Sequence, residues 1–430
     1  MKRENNLFWI WLSLKCGVAS KEFGKLASSG LEAEELYRME SQELERLDGI
    51  GTRLKEKLGD KSLESAYEIY KYCHRHHVSV IPYTDERYPI RLRTLEDPPV
   101  LLYAVGRELN WNQALCIGMV GTRTMSEYGK QTAYTISYEL ASTGVIIVSG
   151  MALGVDGVSA CGALASGGET VAVLGCGIAT VYPKEHKTLM SAIAKEGTVL
   201  TEYPPAEPPR GENFPKRNRL ISGLSQGVLV IEGAARSGAL ITAKKAVEQG
   251  RELFALPGKI NESNSDGPNE LIQNGARVAL HAEDILRFYD FLYHDKIRYE
   301  ALKQTKRYSV EEAMKRYGIA SRGRSAAKRA VESEQPTSAV QPEIPREKPA
   351  KRKESVAWQE PVKAEKHDPI PVGLDDASRA IWEAMPKDRA VPSDSLLLPG
   401  LTVGDVMTAL TMLELSGLVS SLPGGLYKRN

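Results

Sequence analysis

Apolar residues recur along this chain in three different rhythms. Over residues 1–75 they come in short helical periods, cut by Gly17, Gly24, Gly30 and Gly49. From about 113 to 288, short and mostly apolar runs alternate with segments of helical period. The runs predict strands at Leu115–Val120, Val145–Ser149, Thr170–Leu174, Val199–Glu202, Val228–Glu232, Glu252–Ala255 and Arg277–Leu280. Between most of them lie predicted helices such as Glu127–Ala141, Ala239–Glu248 and Asn269–Asn274. Near-continuous apolar strands separated by helices imply an α/β layer structure, a mostly parallel sheet covered on both faces.

The pattern breaks after Arg322–Arg329, a basic run. The stretch that follows to about 370 is rich in Pro, Glu, Lys, Ser and Gln, and cannot bury enough apolar surface to offset the entropy of ordering, so it reads as a disordered linker. Periodicity returns in the tail. Ala377–Met385, Ser393–Leu398 and Val403–Ser416 predict three helices, and Gly417-Leu418-Val419 and Gly425-Leu426-Tyr427 predict two strands around Pro423-Gly424. Three helices closed by a β-hairpin describe a small winged helix. Its third helix carries few cations, so a protein contact suits it at least as well as a DNA groove.

Composition narrows the setting. A chain of 430 residues with 42% hydrophobic content can build several cores. Its net charge of +1 requires any basic surface to be local. The five cysteines, Cys16, Cys73, Cys116, Cys161 and Cys176, are scattered without CxxC spacing, which argues for a reducing compartment and against a disulfide framework or structural zinc. No apolar run approaches a membrane span, and Leu7–Leu12 reads as the first core helix of a cytoplasmic protein.

Candidate chemistry collects at the predicted strand ends, where ligands of open parallel sheets bind. The first strand runs into Gly121-Thr122-Arg123, and the second into Ser149-Gly150-Met151-Ala152-Leu153-Gly154-Val155-Asp156. The third reaches Gly175-Cys176-Gly177 before Tyr182-Pro183-Lys184, and the fifth gives Glu232-Gly233-Ala234-Ala235-Arg236-Ser237-Gly238 with Thr242 on the next helix. After the fourth, the stiff Tyr203–Pro209 loop delivers Asn213-Phe214-Pro215-Lys216-Arg217-Asn218-Arg219. Small residues there would let a ligand approach the backbone. Arg123, Lys184, Lys187, Lys216, Arg217, Arg219 and Arg236 would line one edge. Cations interleaved with a ring at a helix start suit a polyanion with flat bases.

Other motifs compete with this one. Leu47-Asp48-Gly49-Ile50-Gly51 between helical patterns resembles a helix-hairpin-helix turn, whose outward N–H groups grip DNA phosphates in some proteins and merely pack in others. Cys73-His74-Arg75-His76-His77 offers metal-ligand pairs that point in different directions, so it reads as a hydrated helix end. Gly175-Cys176-Gly177-Ile178-Ala179-Thr180 lacks the third glycine of the dinucleotide fingerprint, and the Walker pattern is absent. No bound cofactor or metal is expected; a free mononucleotide stays open.

Taken together, the motifs resemble the DNA processing protein A (DprA/Smf) family of bacteria across residues 83–282. They are Tyr88-Pro89, Pro98-Pro99-Val100-Leu101-Leu102-Tyr103, GTRTMSEYG, SGMALGVD, GGETVAVLGCG with VYP, TEYPP, FPKRNRLISGLS, SGALITAKKA, ALPG and DGPNELIQNGA, in that order. The resemblance implies an α/β fold with a Rossmann-like, mostly parallel sheet, an all-helical N-terminal domain and a C-terminal winged helix. The expected division is 1–80 helical, 81–290 Rossmann-like, 291–372 basic helical extension and linker, and 373–430 winged helix. It further implies single-stranded DNA binding on the sheet's basic edge, self-association, loading of RecA recombinase in natural transformation, and no enzymatic activity. By the resemblance, Arg123 and Lys187 would hold phosphates, Phe214–Arg219 would accept a base with its flanking phosphates, and Ser237, Gly238 and Thr242 would complete the floor. Gly121, Ser149, Gly150 and Lys184 join this set from the strand ends, and Leu271 and Ile272 are the expected self-association residues. A competing enzymatic reading rests on the strand-end acids Asp156, Glu202 and Glu232 beside glycine-rich loops, as in nucleotide N-glycoside hydrolases of the lysine-decarboxylase-like type. The stretch Gly233–Gly238 departs from that type's PGGxGT signature.

Overall fold

A computed structural model describes residues 2–303, 306–319, 376–386, 391–392, 396, 403–422 and 426–429. The expected linker, most of Ser393–Leu398 and the Pro423-Gly424 wing tip lie outside these residues. The chain divides into two compact units, Met1–Thr337 and Ser338–Asn430.

The first unit opens with six helices, α1 (Lys2–Cys16), α2 (Lys21–Ser28), α3 (Ala33–Arg38), α4 (Ser41–Glu45), α5 (Thr52–Gly59) and α6 (Glu64–Arg75). Ser20 caps α2 through its side chain, which accepts from the Phe23 N–H. These helices bury Trp9, Trp11, Phe23, Leu36 and Leu58 in the same continuous core as one face of the sheet that follows.

That sheet has nine strands: β1 (Ser79–Pro82), β2 (Leu101–Gly106), β3 (Cys116–Val120), β4 (Ile146–Ser149), β5 (Thr170–Val173), β6 (Thr198–Thr201), β7 (Gly227–Val230), β8 (Glu252–Ala255) and β9 (Arg277–Val278). Their spatial order is β1-β2-β6-β5-β4-β3-β7-β8-β9. The seven expected strands are all present and pair in parallel from β6 to β9. Two more extend one side antiparallel, β2 on β6 and β1 on β2. The intervening helices are α7 (Ile90–Arg93), α8 (Glu127–Ser142), α9 (Val155–Ala165), α10 (Lys187–Glu196), α11 (Asn213–Leu224), α12 (Gly238–Glu248) and α13 (Asp266–Gln273), with α14 (Ala282–Tyr293) and α15 (Val310–Arg316) after the last strand.

Strand residues alternate between two cores, as a sheet covered on both faces requires. Ile117, Ile147, Ala172 and Leu229 join one core with α8, α9 and α14, while Cys116, Val148, Val173 and Val228 join the other with α11 and α12. The strand order reverses direction between β3 and β7, and this switch point opens a crevice at their carboxyl ends.

In the second unit, the helices Asp376–Ala384 and Val403–Leu415 pack Ile381, Trp382, Leu410 and Leu413 together. A three-stranded sheet joins them: β10 (Val391–Pro392), β11 (Val419–Leu422) and β12 (Leu426–Arg429), in the order β10-β12-β11. β10 was not expected from the sequence. The Arg429 guanidinium, at the end of β12, lies 3.8 Å from the Trp382 ring centroid.

Candidate nucleic-acid interface

The switch point is built by backbone bonds between neighbouring strand ends. The Thr122 N–H donates to the Glu232 carbonyl at 2.7 Å, and Val155 N–H to the Thr122 carbonyl at 3.2 Å. Close packing makes Gly121 obligatory, since a Cβ there would sit 2.5 Å from Val155 Cγ2. The result is an open groove lined by Gly121, Arg123, Phe214, Arg217, Asn218, Ser237, Gly238 and Thr242. Eight of the fourteen residues expected to bind DNA therefore share one crevice.

An adjoining pocket shares Arg123, Tyr182, Phe214 and Arg217 with this groove and reaches Gly150, Gly175 and Cys176. Tyr182 and Phe214 pack against each other in its wall, ring centroids 5.1 Å apart and planes inclined by 31°. The exposed Arg123 places its guanidinium 6.0 Å from the Phe214 centroid. Phe214 is half-buried in the first turn of α11 and lines both the groove and the adjoining pocket. Tyr182 had no assigned role in the sequence; its signal was an aromatic in VYP directly ahead of Lys184 and Lys187.

Lys184 and Lys187 are exposed, the first in the turn Lys184–His186 and the second at the start of α10, beside the pocket residues Tyr182 and Pro183. Lys216 is exposed on α11.

Four expected site side chains are buried: Arg219, Ser149, Arg217 and Thr242, the last at 1% exposure on the wall of the groove. Arg219 is 3% exposed and pairs with Glu202 at 2.5 Å and Asp97 at 3.3 Å, so it does not face the groove. Ser149 is fully buried, and its hydroxyl serves the turn into α9, donating to the Asp156 carbonyl and accepting from the Met151 N–H. Arg217 lines the groove but is 4% exposed, with its guanidinium donating to the Gly150 and Val173 carbonyls. Burial holds its pKa below the ordinary value, with nearby Asp156 pulling it back up.

The strand-end glycines also differ from expectation. A Cβ at Gly150 would meet Arg217 Nη2 at 2.5 Å, one at Gly175 would meet Phe214 Cδ1 at 2.7 Å, and one at Gly177 would meet the Pro204 and Pro205 carbonyls at 2.2 Å. These glycines make room for the protein's own side chains and proline loop. Gly238, at the start of α12, and Gly211, just ahead of α11, line the groove beside open space.

The strand-end acids are internally engaged. Asp156 accepts from the Gly150 N–H at 2.9 Å; burial raises its pKa, while Arg217 and the backbone N–H groups lower it. Glu232 accepts from the Ser126 N–H at 2.9 Å and from the Ser126 hydroxyl, holding the loop that carries Arg123. Glu202 holds Arg219 and the Ala19 N–H. All three are at most 7% exposed.

The hairpin turn in the first six helices differs too. Its N–H groups were expected to be open to a phosphate, but the exposed Gly51 N–H already donates to Glu22 Oε1 at 2.7 Å. Among the described residues no His, Cys, Asp and Glu group could hold a metal ion, and no helix is long and apolar enough to cross a membrane.

Comparison with known proteins agrees with this architecture. The family model described as DNA recombination-mediator protein A matches residues 79–290, and that described as DprA winged helix domain matches 365–425. DNA processing protein DprA of Bacillus subtilis is 42% identical over 208 residues, covering 48% of this chain and 70% of that one. Protein Smf of Synechocystis is 29% identical over 433 residues, covering the whole of both. The X-ray structure of DNA processing protein A from Streptococcus pneumoniae aligns with a TM-score of 0.54 at 32% identity, over 65% of this chain and 97% of that one. With the sheet, the winged helix and the run of motifs in agreement, the chain belongs to the DNA processing protein A (DprA/Smf) family.

Proposed function

We propose that this protein binds single-stranded DNA in the crevice between β3 and β7, acting as a cytoplasmic binding protein with no catalytic step. The observation that carries this reading is the Tyr182–Phe214 pair beneath Arg123 at the topological switch point. An aromatic platform stacks any base, and a cation beside it neutralises the adjoining phosphate, which suits a strand whose bases are free. Lys184, Lys187 and Lys216 supply further exposed charge around the crevice. The engaged state of Asp156, Glu202 and Glu232 supports a scaffolding role for these acids over glycoside hydrolysis.

Loading of RecA onto the bound strand and self-association through Leu271 and Ile272 complete the reading, both carried by family membership. We assign residues 81–290 to DNA, 1–80 to a helical domain that supports them, and 373–430 to a winged-helix module joined through 291–372. Titrating a labelled homopyrimidine strand and a duplex of equal length against the full chain tests the binding role, with preference for the single strand expected. Equal affinity for both would remove base stacking from the account. The rate of RecA filament assembly on a single strand, with and without this protein, tests the loading role.

A further inference from the structure

Glu202 follows β6, and its carboxylate joins three parts of the first unit that are distant in sequence. Oε1 accepts the Ala19 N–H at 3.2 Å, from the turn between α1 and α2, where Ala19 adopts a φ of 57°. Oε2 accepts from Arg219 Nη2 on α11 at 2.5 Å. Arg219 Nε lies 3.3 Å from Asp97 Oδ2, in the segment ahead of β2, and its carbonyl accepts from Gln249 Nε2 at 3.0 Å. Both members of the central pair are almost fully removed from solvent.

On a helix, residues four apart share a face and adjacent residues point in different directions. Phe214 and Asn218 are four apart on α11 and border the crevice, whereas Arg219 points into the ion-pair network. Rotating α11 to move Phe214 would pull Arg219 away from Glu202, leaving an uncompensated buried charge, a strongly unfavourable state.

We propose that Glu202 and Arg219 are positioning residues for DNA binding: their pair fixes the rotation of α11, and through Ala19 it makes the N-terminal helices part of the support of the crevice. Neither residue touches the strand. This inference rests on the crevice being the DNA site.

The test measures affinity of the full chain for a homopyrimidine oligonucleotide at several salt concentrations, with the thermal midpoint recorded for each variant. Glu202→Gln removes a negative charge near a polyanion, so through-space electrostatics would tighten binding; positioning weakens it, by about tenfold, with an unchanged salt slope. Arg219→Gln likewise weakens binding without changing the slope, whereas a phosphate contact would lower the slope by about 0.7. Arg219→Lys restores part of the loss. Should Glu202→Gln fail to fold, Asp97→Asn at the more accessible end of the network decides, with a smaller loss expected at an unchanged slope. Binding by Glu202→Gln as tight as the parent's, or tighter, overturns the inference while leaving the crevice as the DNA site. Absence of single-strand binding by the parent protein overturns the DNA reading itself.

Discussion

The Phe214 ring packs directly over Gly175, where an added Cβ would lie 2.7 Å from its Cδ1 atom. The ring is thus seated by a glycine from the end of the neighbouring strand region, with Tyr182 beside it. Seat and ring can be tested apart. Gly175→Ala displaces Phe214 without deleting it, and is expected to reproduce part of the affinity loss of Phe214→Ala. Equal single-strand binding by Gly175→Ala and the parent would show that the ring's seat is irrelevant to the strand.

Phe214→Ala itself is expected to cost about 1–3 kcal/mol of binding at every ionic strength, because stacking is largely insensitive to salt. The ring is half-buried, so the thermal midpoint must be read beside affinity. Phe214→Leu keeps most of the packing and loses the stacking. A lowered midpoint with unchanged affinity would make Phe214 a packing residue only.

The cations report through the salt dependence. Each phosphate neutralised on a single strand contributes about 0.7 to the slope of log affinity against log salt. Arg123→Glu and Lys187→Glu are each expected to flatten that slope and to weaken all sequences alike. Loss confined to one sequence would point to base-edge reading instead.

Acid should loosen the turn beside the crevice through His186. Its Nδ1 lies 3.0 Å from the Met151 carbonyl, which can only accept, so Nδ1 carries the proton and the buried Nε2 is without a partner. Burial holds the His186 pKa below its ordinary 6.5. Between 6.5 and the folded value the unfolded chain binds more protons, so stability falls as pH drops through that window. Denaturant midpoints of the parent and His186→Gln across pH 7 to 5 check this, the variant giving the shallower decline. Parallel declines would remove His186 from the acid response.

Much of the fold was legible because parallel strands buried on both faces write themselves as apolar runs. The strands β1 and β2 escaped because they are antiparallel additions set among prolines, with β1 only four residues long. The crevice was legible as a set of strand ends, but the direction of each cation was not. Arg217 shares a helical face with Leu220, Ile221 and Leu224, a spacing that signals the core. Arg219 looked like edge charge because its partners Glu202 and Asp97 are far away in sequence. A glycine's letter is the same whether it admits a ligand or the protein's own side chain, so the seats of Phe214 and Arg217 emerged only in three dimensions.

Self-association is expected along α13 and β9. Ile272 is half-buried on α13, and Val278 and Leu280 are 45% and 52% exposed at the sheet's last strand. Leu271 packs partly against the core, which makes Ile272 the cleaner probe. Ile272→Glu should fold and sediment as a smaller species than the parent. An unchanged sedimentation coefficient would move the interface elsewhere.

Stacking and charge together are expected to hold a single strand in the crevice between β3 and β7. The most direct measurement is the affinity of the full chain for a homopyrimidine oligonucleotide across a salt series, for the parent, Arg123→Glu, Phe214→Ala and the double variant. Arg123→Glu is expected to flatten the slope, Phe214→Ala to shift the line downward in parallel, and the double variant to do both. Undiminished binding by the folded double variant would contradict this.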